Sequence, residues 1–225
     1  MVSSLLTLPK SLWSYNPIPG GCVLYLPLWN PNLSGPVFKS VDSYGHTSTV
    51  TGATYGSTGR DFDGTDDYIN CGTSSALNLT DAPISILAWV KGDSLGTGFQ
   101  AIYISDELNG YGIYVTDTTK LAWTKTGVDD VRATDSVTDA NFHLQSAVYD
   151  PSNNVYFYED DGADSGNPHA YTTTFSNGLT YHIGARGVAG VVRLEGIIGE
   201  VWIYNRALSL GEITHIYNQT KGRYS

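Results

Sequence analysis

The 225-residue chain is poor in charged residues, which make up only 15% of it, and both Lys and Glu are scarce. Long solvent-facing helices are normally rich in these two residues, so the composition argues against a helical protein. Gly and Tyr are frequent instead, with 25 and 16 copies. Together with Ser, Thr and Asn they suit a protein made of β-strands and turns.

The sequence also lacks a basic cluster and a long apolar run. Its net charge is −10, and the 12 Lys and Arg residues are scattered singly. Phosphate binding requires clustered cations, so a nucleic-acid partner is not expected. No apolar run approaches the roughly 20 residues of a membrane span, so membrane insertion is not expected either. The N-terminus has no basic start and is interrupted by Pro9, which makes it a poor secretory signal.

Cysteine is nearly absent. Cys22 and Cys71 are the two copies, and no CxxC motif accompanies them, which argues against a thiolate zinc site. Both residues fall at predicted strand ends. A disulfide and two buried thiols therefore both remain open.

Residues 1–21 are predicted to form an extended arm before a single domain at 22–225. Three of the nine prolines lie in the first 20 residues, and the segment ends in Pro19-Gly20-Gly21. The arm is too apolar for an idle tail. We expect it to lie either on its own domain or on a neighbouring chain.

The rest of the chain reads as many short strands separated by turn sequences such as Asn109-Gly110 and Asp161-Gly162. This spacing, with one late helix, predicts a β-sandwich or jelly roll. The predicted strands are 22–28, 50–55, 60–70, 84–91, 100–105, 111–116, 120–125, 128–134, 142–150, 154–159, 179–185 and 193–195. Within 60–70, Asp63-Gly64 predicts a bend or bulge.

The segment 196–213 is predicted to be a central strand followed by a capped helix. Ile197, Val201 and Ile203 alternate with a second apolar set, Ile198, Trp202 and Tyr204, so both faces should be covered. Ser209 stands three residues before Glu212, which is the spacing of a capping box. The other strands should therefore pair around this one.

Four segments resemble the laminin-G-like, concanavalin A-like lectin/glucanase jelly rolls. They begin at Asp42, Phe62, Ile84 and Gly196, and they occur in the family's order: DSYGH…VTGATY, FDGTDDYI, ISILAWV and GIIGEVWIYNRALS. The resemblance covers about residues 22–220. It implies an all-β, antiparallel two-sheet jelly-roll sandwich with one short C-terminal helix and with adjacent first and last strands. It also implies a binding module for glycans or proteins, often with Ca²⁺ at the rim.

Catalysis is not expected. Glucanases of this superfamily carry two carboxylates on one strand in an ExDxxE motif. The nearest match here runs from Glu159 to Asp164, lacks the last Glu and falls on a turn. The five His residues have no motif context, and His143 and His182 are expected to be hydrogen-bonded structural residues.

Calcium is a candidate cofactor, because Asp-rich loops supply the oxygen ligands that it needs. The candidate ligands are Asp42, Asp63, Asp66 and Asp67. The alternative is that Asp63-Gly64 forms a turn while Asp66 or Asp67 pairs with Arg60 or Arg206. Two departures from the family pattern, Gly199 in place of Asp and His46 in place of Asn, weaken the calcium interpretation.

Aromatic side chains in loops are the candidates for glycan binding, because sugars stack on aromatic rings. Trp89 and Trp202 lie in strands with two apolar faces and are assigned to the core. The candidate ligand-binding residues are Trp29, Tyr44, Phe99, Tyr103, Asn109, Tyr111 and Trp123.

The sequence thus favours a non-catalytic recognition or adhesion module whose partner is a glycan or cell-surface polymer, located outside the cell or on a virion. The alternative is a structural surface or decoration protein of a virus or phage particle. Its arm would then dock on other subunits of the particle or on copies of the same chain. A glycoside hydrolase is the less favoured third interpretation.

Overall fold

The structure is a computed structural model and describes residues 16–80, 82–93, 97–105, 108–137, 139–150, 152–172, 174–176, 178–187 and 192–224. Most of the predicted arm, residues 1–15, lies outside this set, so docking of the arm on another subunit stays a prediction. Its last residues lie on their own domain. The backbone N–H of Asn205 donates to the carbonyl of Gly21 at 3.0 Å, and Arg206 Nε donates to that of Gly20 at 2.9 Å.

The described strands form two antiparallel sheets, as the sequence predicts. Sheet A contains β1 (Cys22–Pro27), β4 (Thr54–Gly56), β5 (Gly59–Asp63), β7 (Ile84–Gly92), β12 (His143–Asp150), β13 (Asn154–Glu159), β14 (Gly162–Ala163), β15 (His169–Ala170) and β17 (Glu195–Tyr204). Sheet B contains β2 (Val37–Lys39), β3 (Thr47–Thr51), β6 (Tyr68–Asn70), β8 (Gln100–Ser105), β9 (Tyr111–Val115), β10 (Leu121–Lys125), β11 (Asp129–Arg132) and β16 (Tyr181–Ile183). The helix α1 spans Leu210–Thr220, and short 3₁₀ turns lie at Pro31–Leu33, Ser75–Leu77 and Lys221–Arg223.

Two predicted strands are each divided between the sheets. The segment 50–55 contributes to β3 in sheet B and β4 in sheet A, and the segment 60–70 contributes to β5 in sheet A and β6 in sheet B. The bend at Asp63-Gly64, where Gly64 has a φ of 73°, lies between β5 and β6. The sequence predicts a bend or bulge at this place, and the structure has a turn that transfers the chain from one sheet to the other.

The predicted central position of the last strand is confirmed. β17 pairs with β7 along one side and with β5 and β1 along the other, so the first and last strands are adjacent. A β-bulge interrupts the register with β7 between Ile198 and Glu200. The bulge shifts the alternation, so that Ile198, rather than the predicted Ile197, joins Val201 and Ile203 in the core between the sheets.

The other face of sheet A is covered by α1. Trp89, Trp202 and Tyr204 pack there with Ile213 and Ile216 of the helix. The predicted capping box is present, with Ser209 and Glu212 each accepting from the other's backbone N–H. Among the described helices, none is long and apolar enough to cross a membrane.

Glu200 is a fully buried carboxylate at the bulge. Four donors surround it: Tyr25 Oη at 3.0 Å, Trp29 Nε1 at 2.8 Å, Arg223 Nη1 at 2.8 Å and Tyr224 Oη at 3.1 Å. Burial raises the pKa of Glu200, and these donors act in the opposite direction. The cluster joins β1, β17 and the C-terminal 3₁₀ turn, so the role of Glu200 is internal.

Arg60 is the second buried charge in sheet A. Its guanidinium donates to the carbonyls of Leu33, Gly35 and Ala53, the last at 3.0 Å. It also lies within 6 Å of the ring centroids of Phe38 and Tyr55, at 5.8 and 5.7 Å. Arg60 therefore ties the loop before β2 and the turn before β4 to β5.

The two cysteines are buried free thiols, which decides between the alternatives that the sequence left open. Burial raises the pKa of both thiols to about 12. Neither residue is therefore a thiolate near neutral pH.

Candidate functional site

A polar concavity lies on the outer face of sheet B and follows from the alternation of its strands. In β9, Tyr111, Ile113 and Val115 point into the core, which turns Gly112 and Tyr114 outward. Thr124 of β10 is the register partner of Gly112. Tyr114 and Thr124 thereby line a groove between the flanking loops.

The groove has a volume of about 600 Å³ and crosses β8 to β11. Its walls come from the segment before β8, the β10–β11 turn and the loop after β16. We call it the sheet B groove. Its lining residues are Phe99, Ile104, Tyr114, Thr124, Thr126, Gly127, Val128, Asp129, Asp130, Arg132, Arg186 and Val192.

Aromatic and acidic groups meet near the edge strand β11. The Phe99 side chain is 41% exposed and meets the Tyr114 ring edge-on, with 5.6 Å between the centroids. Tyr114 Oη donates to Asp130 Oδ2 at 2.8 Å. Burial and the neighbouring Asp130 carboxylate both raise the pKa of Tyr114, so the phenol keeps its proton and acts as a donor. The groove therefore offers an apolar ring and hydrogen-bonding groups side by side.

Arg132 and Arg186 are the cations of the groove. Neither forms a salt bridge with any carboxylate in the part of the chain that the structure describes. Arg132 is exposed on β11, whereas Arg186 is half-buried. The backbone N–H of Arg186 donates to the carbonyl of Val192 at 2.9 Å, which fixes the base of this loop beside the groove.

Three of the predicted binding residues are buried in the core and are not surface residues. Tyr103, Tyr111 and Trp123 each have 0% exposure and pack between the sheets. Tyr103 stacks on Tyr181 with 5.2 Å between centroids, and Tyr111 stacks on Trp123 at 6.2 Å. These rings form the core and cannot meet a ligand at the surface.

The other predicted binding residues are dispersed. Phe99 lies on the sheet B groove. Trp29 is half-buried and held by Glu200, and Arg223 covers its ring at 4.8 Å. Tyr44 is 53% exposed but belongs to the β2–β3 connection at the opposite edge of sheet B. Asn109 is a turn residue with a φ of 69°, and its backbone bonds to Thr126 and Ser176.

The predicted metal ligands fall into two places. Asp63, Asp66 and Asp67 have carboxylate oxygens within 4.8 Å of one another. Burial raises the pKa of Asp67, and the charges of Asp63 and Asp66 contribute in the same direction. A cation between the three carboxylates would relieve this repulsion, and calcium at this place stays a prediction. Asp42 lies elsewhere, and its carboxylate accepts from the backbone N–H groups of Tyr25, Tyr44 and Gly45.

The predicted pairing of Asp66 or Asp67 with an arginine is wrong. Arg60 is occupied by backbone carbonyls, and Arg206 pairs with Glu212 at 2.7 Å. Asp63-Gly64 does form the predicted turn, because Asp63 Oδ1 accepts from the backbone N–H of Thr65 at 2.7 Å.

The segment from Glu159 to Asp164, the nearest match to the glucanase motif, serves local structure. Glu159 accepts from Gln145 Nε2 at 2.7 Å, and Asp164 accepts from the backbone N–H groups of Asp135 and Gly166 and from His169 Nε2. His143 is hydrogen-bonded, as predicted: Nδ1 lies 2.9 Å from Asp160 and Nε2 lies 3.1 Å from Asp139. The hydrogen bond with Asp160 is the main cause that raises the pKa of His143 to about 9.

These features define a class of protein: two-sheet antiparallel β-sandwich domains with an open groove on the outer face of one sheet. The chain belongs to the concanavalin A-like lectin/glucanases superfamily, whose profile matches residues 63–214. The resemblance seen in the sequence motifs is thereby confirmed. A comparison with curated proteins found no match.

Solved structures with the same fold include a Trypanosoma rangeli sialidase in complex with sialic acid. The TM-score is 0.70 at 16% identity, over 91% of this chain and 34% of the sialidase. The receptor-binding domain of botulinum neurotoxin D gives a TM-score of 0.67 at 13% identity, over 89% of this chain and 53% of that domain. The chain thus spans about a third of the sialidase and about half of the toxin domain. At these identities the likeness supports the fold alone.

Proposed function

We propose that the protein is a non-catalytic recognition module that binds glycans in the sheet B groove. The observation that carries the proposal is the exposed Phe99 ring beside the Tyr114 hydroxyl and the Asp130 carboxylate in a groove of about 600 Å³. An aromatic ring covers the apolar face of a sugar, and the adjacent acceptors and donors fix its hydroxyl groups.

The comparisons add support at the level of class. One structural neighbour is a sialidase bound to sialic acid and another is a toxin receptor-binding domain, so this sandwich occurs in proteins with recognition roles. A fold alone does not determine function, and the groove residues are therefore what must be tested.

Replacing Phe99 by Ala is expected to weaken glycan binding roughly 5- to 30-fold, the loss that corresponds to about 1–2 kcal/mol of stacking. The measurement is isothermal titration with a glycan selected by screening the unmodified protein on an array. Leu210→Ala is the matched control, because Leu210 is 40% exposed but lies on α1. Equal loss in both variants, or none in Phe99→Ala, would contradict the assignment of the groove.

The absence of catalysis is part of the proposal. The segment from Glu159 to Asp164 supports it, because its carboxylates accept hydrogen bonds that hold a turn and a neighbouring loop. Incubation with β-glucans or with sialylated oligosaccharides should release no sugar. Release that survived purification to homogeneity would identify an enzyme instead.

Calcium binding by Asp63, Asp66 and Asp67 is proposed as a stabilising feature of the β5–β6 turn. Calcium at about 10 mM is expected to raise Tm by roughly 3–10 °C if Kd lies near 10⁻⁴–10⁻³ M, as in extracellular modules. EDTA should reverse the shift, and Asp66→Asn should abolish it. Asp42→Asn is the control that should keep it. An unchanged Tm in calcium, with no metal found by elemental analysis, would remove calcium from the proposal.

A further inference from the structure

The arginines of this acidic chain differ in how their charges are satisfied. Arg60 donates to buried carbonyls, Arg206 pairs with Glu212 and Arg223 pairs with Glu200. Arg193 also has an interaction partner. Arg132 and Arg186 are the two that face the sheet B groove without a described carboxylate partner.

Of these two, Arg186 is the one that is half-buried and distant from the acidic groups. Arg132 shares β11 with Asp129 and Asp130. Arg186 follows β16, which is four strands away from β11 in sheet B, or roughly 19 Å at the usual strand spacing. The groove therefore has an acidic end, at Asp129 and Asp130, and a cationic end, at Arg186.

Arg186 lines the groove without a described carboxylate partner, and a planar guanidinium fork matches carboxylate and sulfate groups in a bidentate manner. The acidic end is suited to a different part of a ligand, because carboxylates accept hydrogen bonds from hydroxyl groups. Phe99 and Tyr114 lie on the floor and wall between them. These complementary ends point to a ligand that has both hydroxyl groups and an anionic group.

We propose that the preferred ligand of the groove is an acidic glycan, whose carboxylate or sulfate group is bound by Arg186 while its hydroxyl groups bind at Asp129 and Asp130. This inference rests on the proposed function and specifies the class of glycan. An acidic peptide would satisfy Arg186 equally well, but only its Ser, Thr and Tyr residues carry hydroxyl groups, whereas each sugar ring presents several adjacent ones to the opposite end.

The test uses an array in which sialylated, uronate-containing, sulfated and neutral glycans share matched cores, followed by titration of the strongest pair. Acidic glycans should bind more tightly than their neutral counterparts, and the difference should shrink as salt is added. Arg186→Gln should weaken the acidic member 10- to 100-fold, the usual effect of losing a charged hydrogen bond, and leave the neutral member nearly unchanged. Comparing the affinity for sialylated and uronate-containing glycans with that for sulfated glycans then shows whether the bound anionic group is a carboxylate or a sulfate.

Two further variants separate charge and folding from recognition. Arg186→Lys keeps the charge but loses the bidentate fork, so it should bind a carboxylate probe with intermediate affinity. Lys39→Gln removes the same charge from an exposed position at the opposite edge of sheet B, and it should bind like the unmodified protein. Thermal unfolding of Arg186→Gln should match the unmodified protein; if that variant is unfolded, the comparison rests on Arg186→Lys.

The outcomes are distinguishable. Equal binding of acidic and neutral glycans, both lost in Phe99→Ala and both kept in Arg186→Gln, would overturn this inference and leave the proposed function standing. Absence of binding to every glycan would overturn both. Binding of a Glu-rich peptide, without binding of acidic glycans, would overturn the inference in favour of a protein ligand.

Discussion

Replacing Glu200 by Ala is expected to lower the free energy of unfolding by about 3–5 kcal/mol, the usual cost of removing one member of a buried, hydrogen-bonded ion pair. For a domain of this size the loss corresponds to a fall in Tm of roughly 6–20 °C. The reason is that Tyr25, Trp29, Arg223 and Tyr224 all donate to this carboxylate. Urea denaturation followed by tryptophan fluorescence measures the change.

The second variant is Arg223→Ala. It leaves the fully buried Glu200 carboxylate with three neutral donors and no counter-charge, so it should also lower the free energy of unfolding by about 3–5 kcal/mol. The double variant should be less unstable than the sum of the single variants, because the two side chains are in contact. A Glu200→Ala protein as stable as the unmodified chain would show that the cluster contributes nothing to stability.

The same cluster explains why Gly199 departs from the family pattern. A Cβ atom at position 199 would lie 2.3 Å from the Tyr224 ring, so the ring leaves no room for the Asp side chain that the family resemblance implies there. In this chain the Tyr224 side chain, near the C-terminus, packs against the β-bulge at Gly199. The space beside Gly199 is filled by the Tyr224 ring. A carboxylate ligand for calcium therefore has no room at position 199.

The sheets themselves follow from local sequence. Strands such as β8 and β13 have the predicted limits because alternation and flanking turns define them. The predicted strand limits differ from the structure where one turn transfers the chain from one sheet to the other. At Asp63-Gly64 such a turn divides the segment 60–70 into β5 and β6. The periodicity of the sequence indicates that a segment is extended, but it does not indicate which sheet the segment joins.

The binding residues are harder to predict than the strands, because an aromatic residue type does not show which face of a strand the side chain occupies. Tyr111 and Trp123 are aromatic and flank loops, yet they occupy the inward positions of β9 and β10. Tyr114 lies three residues after Tyr111 and therefore faces outward. A shift of one residue exchanges the two faces of a strand, and the alternation of Tyr111, Ile113 and Val115 could have identified Tyr114.

Arg186, Asp129 and Asp130 had no such signal. Arg186 is far from Asp129 and Asp130 in the sequence, and the three line one groove because β16 is inserted beside β8 while β11 forms the sheet edge. A long-range strand order of this kind depends on the packing of the whole sandwich. It is not encoded in any single segment.

Arg60→Met is expected to produce a loss of similar size, about 3–5 kcal/mol. Methionine fills much of the same apolar space between Phe38 and Tyr55, so the packing is largely kept. The carbonyls of Leu33, Gly35 and Ala53 lose their donor, however, and each buried carbonyl without a partner costs about 1–3 kcal/mol. Urea denaturation should show the loss as a lower midpoint with an unchanged slope.

Arg60→Lys separates charge from geometry. A lysine keeps the positive charge, but a single ammonium group cannot reach carbonyls that two guanidinium nitrogens now serve. We expect Arg60→Lys to be destabilised nearly as much as Arg60→Met. Full stability of Arg60→Lys would mean that charge alone matters at this position, whereas full stability of Arg60→Met would mean that water reaches these carbonyls. If both variants lose stability as expected, the guanidinium fork of Arg60 is what holds the segments before β2 and β4 against β5.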